Sequence, residues 1–262
     1  MLYIIYLLVQ RNSNYCVMSS SISIYGIIAF LIIFLGYIIQ SSLLILYYYY
    51  ICKNNYNQWK IQHEKGSSVG TFFSLFSMKP GRGPFHRVVT TFNLVMASLF
   101  ALLTTEMTIR GYTSIVFSND YGVFNMLKDF IIAVVYQSVV EYYWHRIMHF
   151  RLFYKHLHKY HHHYKAPEVY DDLYIHPLEA FGYYCILYGP PYVMKSLHIY
   201  AFVAYMIVMG VCGVLDHSGV RIKLLGIYST SDHDKHHSDF DVNYAFPFPL
   251  MDIIHGTYEK GS

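Results

Sequence analysis

Sixteen histidines occur in 262 residues, and most of them fall in three short stretches of the second half of the chain. EYYWHRIMH carries His145 and His149. HLHKYHHHYKAP carries His158, His161, His162 and His163, with His156 crowding the same register, and SDHDKHHSDF carries His233, His236 and His237. Neutral imidazole is the commonest metal ligand of proteins, and a single catalytic zinc normally takes three protein ligands. Two HxxHH units and one HxxxH unit supply eight imidazoles, enough for two metal ions. Imidazole suits iron, zinc, copper and nickel alike, so donor type alone leaves the metal open.

The spacings constrain the elements that carry these residues. Residues four apart share a helix face, so His145 and His149 can reach one metal together. Glu141 lies one turn earlier and Gln137 two turns earlier on the same stripe. Glu141 either accepts the second N–H of a ligand imidazole, as carboxylates behind metal-bound histidines do, or pairs with Arg146 at the helix end. His158, His161 and His162 point three imidazoles inward over little more than one turn. A competing register, HxxxHH, would use His158, His162 and His163. His176 in YIHPLE and His217 in LDHSG flank an apolar stretch, close enough to complete a metal shell. His63, His86, His198 and His255 are isolated, and a lone histidine is expected to serve structure.

The histidines sit among membrane segments. Hydrophobic residues make up 55% of the chain and charged residues 13%, against about 25% charged in soluble domains. Residues 22–51 form a nearly uncharged run, longer than the roughly 20 residues a helix needs to cross a bilayer. Its end at Tyr47–Tyr50 reads as an interfacial aromatic belt. Further candidates run over 88–103 and 123–144. Residues 178–214 hold two shorter apolar runs broken at Gly189-Pro190-Pro191, which predicts a helical hairpin whose first arm is short enough to be re-entrant. The expected fold is all-α, a polytopic bundle of four to five membrane segments with a helical cap carrying the histidines. Segments 1–132 and 133–258 form its N-terminal and histidine-bearing parts, integrated in one domain. Residues 1–17 are too short an apolar run to span, and Met18 is an alternative start.

Charge tests that topology. A hairpin places 145–177 and 215–262 on one side, and loop 52–87 joins them if the second and third segments each cross once. These three stretches hold 15 of the 19 Lys and Arg residues. The positive-inside rule then puts every histidine cluster in the cytosol. A net charge of +3 gives no reason to expect nucleic acid. Four scattered cysteines without a CxxC pair support neither a disulfide framework nor a thiolate zinc site.

HxxxH, HxxHH and HxxHH at these separations across membrane segments resemble the fatty acid hydroxylase/sterol desaturase superfamily. The likeness covers about residues 133–258. It includes YWHRIMH, LFYKHLHKYHH with Pro167 five residues after His162, YIHPLEAF, LDHSG, DHDKHHSDFDVNYA and DIIHGT. Pro167 favours the HxxHH register. The resemblance implies a non-haem di-iron oxygenase of the endoplasmic reticulum membrane, using O2 on a lipid. Electrons would come from NAD(P)H through cytochrome b5 or a reductase, which must be a separate protein because no HPGG haem-binding segment occurs. His145, His149, His158, His161, His162, His233, His236 and His237 carry over as iron ligands, with His176, His217, His163 and Glu141 as further ligands or supports. HPLE, DHSG and the NYA…D…GT ending look most like the 4-alpha-methylsterol oxidase branch, with a fatty-acyl or sphingoid-base hydroxylase as the alternative. A metal transporter is the alternative from another class, but its ligands would lie near the midplane of membrane helices.

Overall fold

The computed structural model describes residues 21–62, 83–224 and 227–261. Met1, Met18 and His63 therefore lie outside the described residues, as does most of the connector before residue 83. Helix α1 (Ile24–Leu44) starts at Ser23, whose hydroxyl accepts from the Gly26 amide, and runs on as a wider π-helical turn over Ile45–Ile51. Helix α2 (Pro84–Ile109) begins on a proline, which needs no amide partner there. Helix α3 spans Val123–Met148, α4 Pro177–Leu187 and α5 Ile199–Asp216. Two short helices follow, α6 (Thr230–Asp239) and α7 (Leu250–His255). Among the described residues, four helices are long and apolar enough to cross a membrane: Ile24–Ile51, Pro84–Ile109, Val123–Met148 and Ile199–Asp216. Helix α4 has eleven residues, about 16 Å at 1.5 Å per residue, short of the ~30 Å hydrocarbon core.

Strands β1 (Ile115–Val116) and β2 (Leu197–His198) pair in parallel, so the apex of the α4–α5 hairpin joins the loop between α2 and α3. The Ser114 amide donates to Pro191 O at 2.8 Å in the same contact. The remaining ladder is the hairpin of β3 (Lys223–Leu224) and β4 (Tyr228–Ser229). With that apex at one end of the bundle, the histidine-bearing segments collect at the other. There Tyr49 donates to Ser218 O at 2.6 Å, and His86 Nε2 meets Asp171 at 3.0 Å. The described parts of the three charged stretches thus lie together at one end of the bundle.

Small residues let the spans approach closely, as they do where lipid supplies no hydrophobic drive. Ala97, Ala101 and Ala180 pack with Tyr184 and Tyr188 between α2 and α4. Ala133 packs with Tyr205, Met209 and Cys212 between α3 and α5. The one amide deep in α2 uses both of its N–H groups: Asn93 Nδ2 donates to Leu173 O and Ile175 O at 2.9 and 2.8 Å, while its Oδ1 has no partner among the described residues. That fork ties α2 to the segment leading into α4, which carries a residue of the site described next.

Candidate metal centre

Nine imidazoles converge into two groups. His145, His149, His158, His162 and His236 form the first, and His161, His217, His233 and His237 the second. Within each group one nitrogen per ring lies within 4.8 Å of all the others. Neighbouring Nε2 atoms are closer: His158 to His149 3.0 Å, His158 to His162 3.0 Å and His236 to His162 3.1 Å. In the second group His217 stands 3.2 Å from His161 and 2.9 Å from His233.

Local structure explains the partition. His145 is in the last turn of α3 and His149 is its C-cap, so both face the bundle end. His233 and His237 share one face of α6, while His236 is rotated away toward the first group. The second HxxHH behaves likewise, on irregular backbone. A π-turn over Tyr154–His158 and a 3-10 turn over His161–His163 send His158 and His162 to the first group and His161 to the second. Each HxxHH therefore serves both groups: its residues four apart go together and its middle residue crosses over.

Outer hydrogen bonds fix which nitrogen faces inward. A carbonyl only accepts, so His145 Nδ1 must donate to Tyr244 O (2.8 Å), His236 Nδ1 to Val242 O (2.6 Å) and His217 Nδ1 to Gly213 O (3.0 Å). His158 Nδ1 meets the Glu179 carboxylate at 2.5 Å. Each of these rings, when neutral, then presents a bare lone pair from Nε2. Two bare lone pairs at 3 Å repel, and a cation between them removes the repulsion. A metal holding nitrogens at about 2.0–2.1 Å places adjacent ones roughly 3 Å apart, the spacing seen here. Among the described residues, His145 Nε2 and both nitrogens of His237 are buried with no hydrogen-bond partner, and a metal would satisfy His145 Nε2 and one nitrogen of His237. The donor set fits two cations.

Electrostatics agree. Burial, helped by neighbouring imidazoles, holds His161, His162, His233, His236 and His237 well below the ordinary imidazole range, and His149 too. Burial also lowers His217, to about 4. These rings are neutral at pH 7, the form that binds a metal.

The remaining candidates fall elsewhere. His163 is exposed, so the HxxxHH register does not bring its ring into either group. His176 caps α4 instead, accepting from the Leu178 amide at 3.2 Å, because the following Pro177 starts the helix and turns the ring away. Glu141 neither accepts from an imidazole nor pairs with Arg146. It accepts from Gln137 Nε2 at 2.5 Å, and Arg146 donates to Tyr142 Oη at 3.0 Å. The carboxylate behind a ring is Glu179, one turn into α4, where the crossing of α4 near the 154–158 turn brings it to His158. Glu179 sits in the HPLE motif, but the sequence does not say which histidine it meets. Asp252 was equally hidden: it accepts from the Tyr244 and Ala245 amides and from Thr257, and so holds the carbonyl that receives His145. His86, His198 and His255 serve structure, bonded to Asp171, the Tyr200 amide and Tyr143.

Residues 130–257 match the family model described as fatty acid hydroxylase. The histidine-bearing half of this chain belongs to that family. Its similarity to curated relatives extends further. Human lathosterol oxidase is 29% identical over 172 residues, 63% of this chain and 57% of that protein. Sphinganine C4-monooxygenase 2 of Arabidopsis thaliana is 30% identical over 151 residues, 54% of this chain and 58% of that protein. A Delta(7)-sterol 5(6)-desaturase of Gibberella zeae is 30% identical over 131 residues, 50% of this chain and 37% of that protein. The chain thus spans little more than half the length of the first two of these relatives. No solved structure matches it with significance.

Proposed function

We propose that this member of the fatty acid hydroxylase family is a membrane-bound di-iron oxygenase that hydroxylates or desaturates a lipid. A sterol is the substrate class favoured. The observation that carries the reading is the pair of imidazole groups with their lone pairs turned inward. His145, His149, His158, His162 and His236 would hold one iron, and His161, His217, His233 and His237 the other. When bound, the iron pair supplies activation of O2 for attack on an unactivated C–H bond.

The chain's own residues do the rest. Outer partners set the ring orientations before any metal arrives. Burial keeps bulk water from the site. A cavity reaching both groups is walled by Trp144, Tyr183, Tyr184 and Phe246, an apolar lining suited to a lipid body. Hydroxylation consumes one O2, two electrons and two protons per C–H bond and releases one water. The electrons require a donor, for which cytochrome b5 or its reductase, fed by NAD(P)H, is the proposal. The crowding of Lys and Arg at the histidine end supports a cytosolic face, and residence in the endoplasmic reticulum membrane is proposed from the family resemblance alone.

The sterol reading draws on the lathosterol oxidase and sterol desaturase relatives, and on the HPLE and DHSG motifs that favour a 4-methylsterol. The Arabidopsis relative supports the second reading, a sphingoid-base hydroxylase. Lipid profiling after deletion of the gene separates them. Accumulated 4-methylsterols support the first reading in its specific form, and accumulated Delta(7)-sterols support sterol desaturation. Loss of hydroxylated sphingoid bases supports the second, and an unchanged lipid profile would refute both.

A further inference from the structure

The cavity beside the imidazoles is not uniformly apolar. It touches His145, His158 and His161, and His217 and His233, so it reaches both groups. Asp172 lies in its wall, in the 3-10 turn Asp171–Leu173 that precedes α4. Tyr37, from the middle of α1, donates its hydroxyl to Asp172 Oδ1. Taking a carboxyl and a phenol even partly out of water costs free energy unless they are paired, and pairing them with each other only offsets that cost. Both are half-buried, and Asp172 keeps a face on the cavity. A carboxyl accepts several hydrogen bonds, and Tyr37 occupies one place on Oδ1.

The same cavity has open space in its wall. Gly213 also lines the cavity, and a Cβ added there would meet nothing within 4 Å. Gly182, in α4, differs: a Cβ there would strike the Trp144 ring at 2.4 Å, whereas Gly210, one turn before Gly213 on α5, is as open as Gly213. Gly213 therefore leaves room that helix packing does not demand, directly beside the carbonyl that holds His217.

We propose that Asp172, oriented by Tyr37, is the polar anchor of this cavity and receives the hydroxyl of a lipid alcohol. The hydrocarbon body lies along Tyr183, Trp144 and Gly213 toward the two imidazole groups. The distance from the hydroxyl to the carbon at the imidazoles then selects the position attacked. Glu141 and Glu179 also line the cavity, Glu141 accepting from Gln137 and Glu179 meeting His158; a neutral hydroxyl enters such a wall at less desolvation cost than an ammonium. This assignment rests on the lipid-oxygenase reading of the same site.

The test uses the iron-loaded full chain in nanodiscs, with equilibrium binding of a radiolabelled 3-hydroxysterol, its 3-O-methyl ether and sphinganine. The parent protein is expected to bind the hydroxysterol about tenfold or more tightly than the ether, the scale of one hydrogen bond to a charged group. Asp172→Leu should erase that ratio, and Asp172→Asn, which keeps the Tyr37 contact, should retain part of it. Gly213→Leu should weaken the hydroxysterol and the ether alike, at unchanged iron content. A ratio unaltered by Asp172→Leu, or no discrimination by the parent, would overturn the anchor. A larger loss for sphinganine than for the hydroxysterol would overturn the hydroxyl in favour of an ammonium. Lipid oxidation without discrimination sinks the anchor alone, whereas discrimination without any lipid oxidation sinks the oxygenase reading alone.

Discussion

The two imidazole groups lie side by side, yet the protein holds them differently. Three of the five rings in the first group are pinned from behind, His145 by Tyr244 O, His236 by Val242 O and His158 by Glu179. His162 Nδ1 of that group lacks a partner among the described residues; in the second group only His217 is pinned, by Gly213 O, and His161 Nδ1 and both nitrogens of His237 lack one. The first group is preorganised by the fold, and the second depends more on what it binds. In a pair of cooperating sites this difference predicts an order: the first group binds its ion more tightly and releases it later.

The largest expected effect follows from removing a pinned ring. His236→Ala should lower iron content toward one per chain and lipid oxidation by at least about a hundredfold, because both ions act together. Iron analysis and turnover on the same sample check it, and full loading would refute the assignment of that ring. His217→Ala should also cost one iron, but from the second group, leaving an ion that resists chelation longer than the one left in His236→Ala. Equal chelation rates in the two variants would erase the contrast between the groups.

Glu179→Gln comes next. It keeps the shape and weakens only the acceptor behind His158, so metal affinity should fall roughly 10- to 100-fold, the usual cost of losing such a partner. Titration with iron in the apo protein reads this directly. Acid provides a smaller, graded effect. His217 is lowered to about 4 by burial, while the same ring in the unfolded chain titrates near about 6.5. Between those values the unfolded state binds more protons than the folded one, so stability falls as the pH drops through that window. Protons compete for the same nitrogens, and iron release should accompany the loss, first from the second group. The smallest effect belongs to His163→Ala and His176→Ala, which should leave iron content unchanged.

Much of this architecture is legible along the chain. The long apolar runs mark the spans, and Pro84 and Pro177 mark helix starts. The 15 cations collected in three stretches foretell which ends lie together. The motif spacing identifies eight of the nine converging rings, because i, i+4 geometry is a local property of the backbone. His217 was visible only as a reserve, since a histidine at the end of an apolar helix becomes a ligand only if other elements meet it. Glu141 shows the opposite failure. Its place on the stripe of His145 suggested a partner for an imidazole, but a buried carboxylate takes the nearest donor, and Gln137 is one turn away on the same helix.

The sequence by itself determined the chemistry: imidazole in bulk, in repeated local spacings, at the ends of membrane helices. Only the tertiary structure decided how those rings divide into five and four, and which carbonyls and carboxylate turn their lone pairs inward. It also decided that an acid from one turn and a glycine from another face the same cavity. Spacing governs what a few consecutive residues can do together. Convergence of α3, α5, α6 and the turns at 154–163 on one point is set by packing over more than ninety residues of chain separation, and no local pattern encodes it.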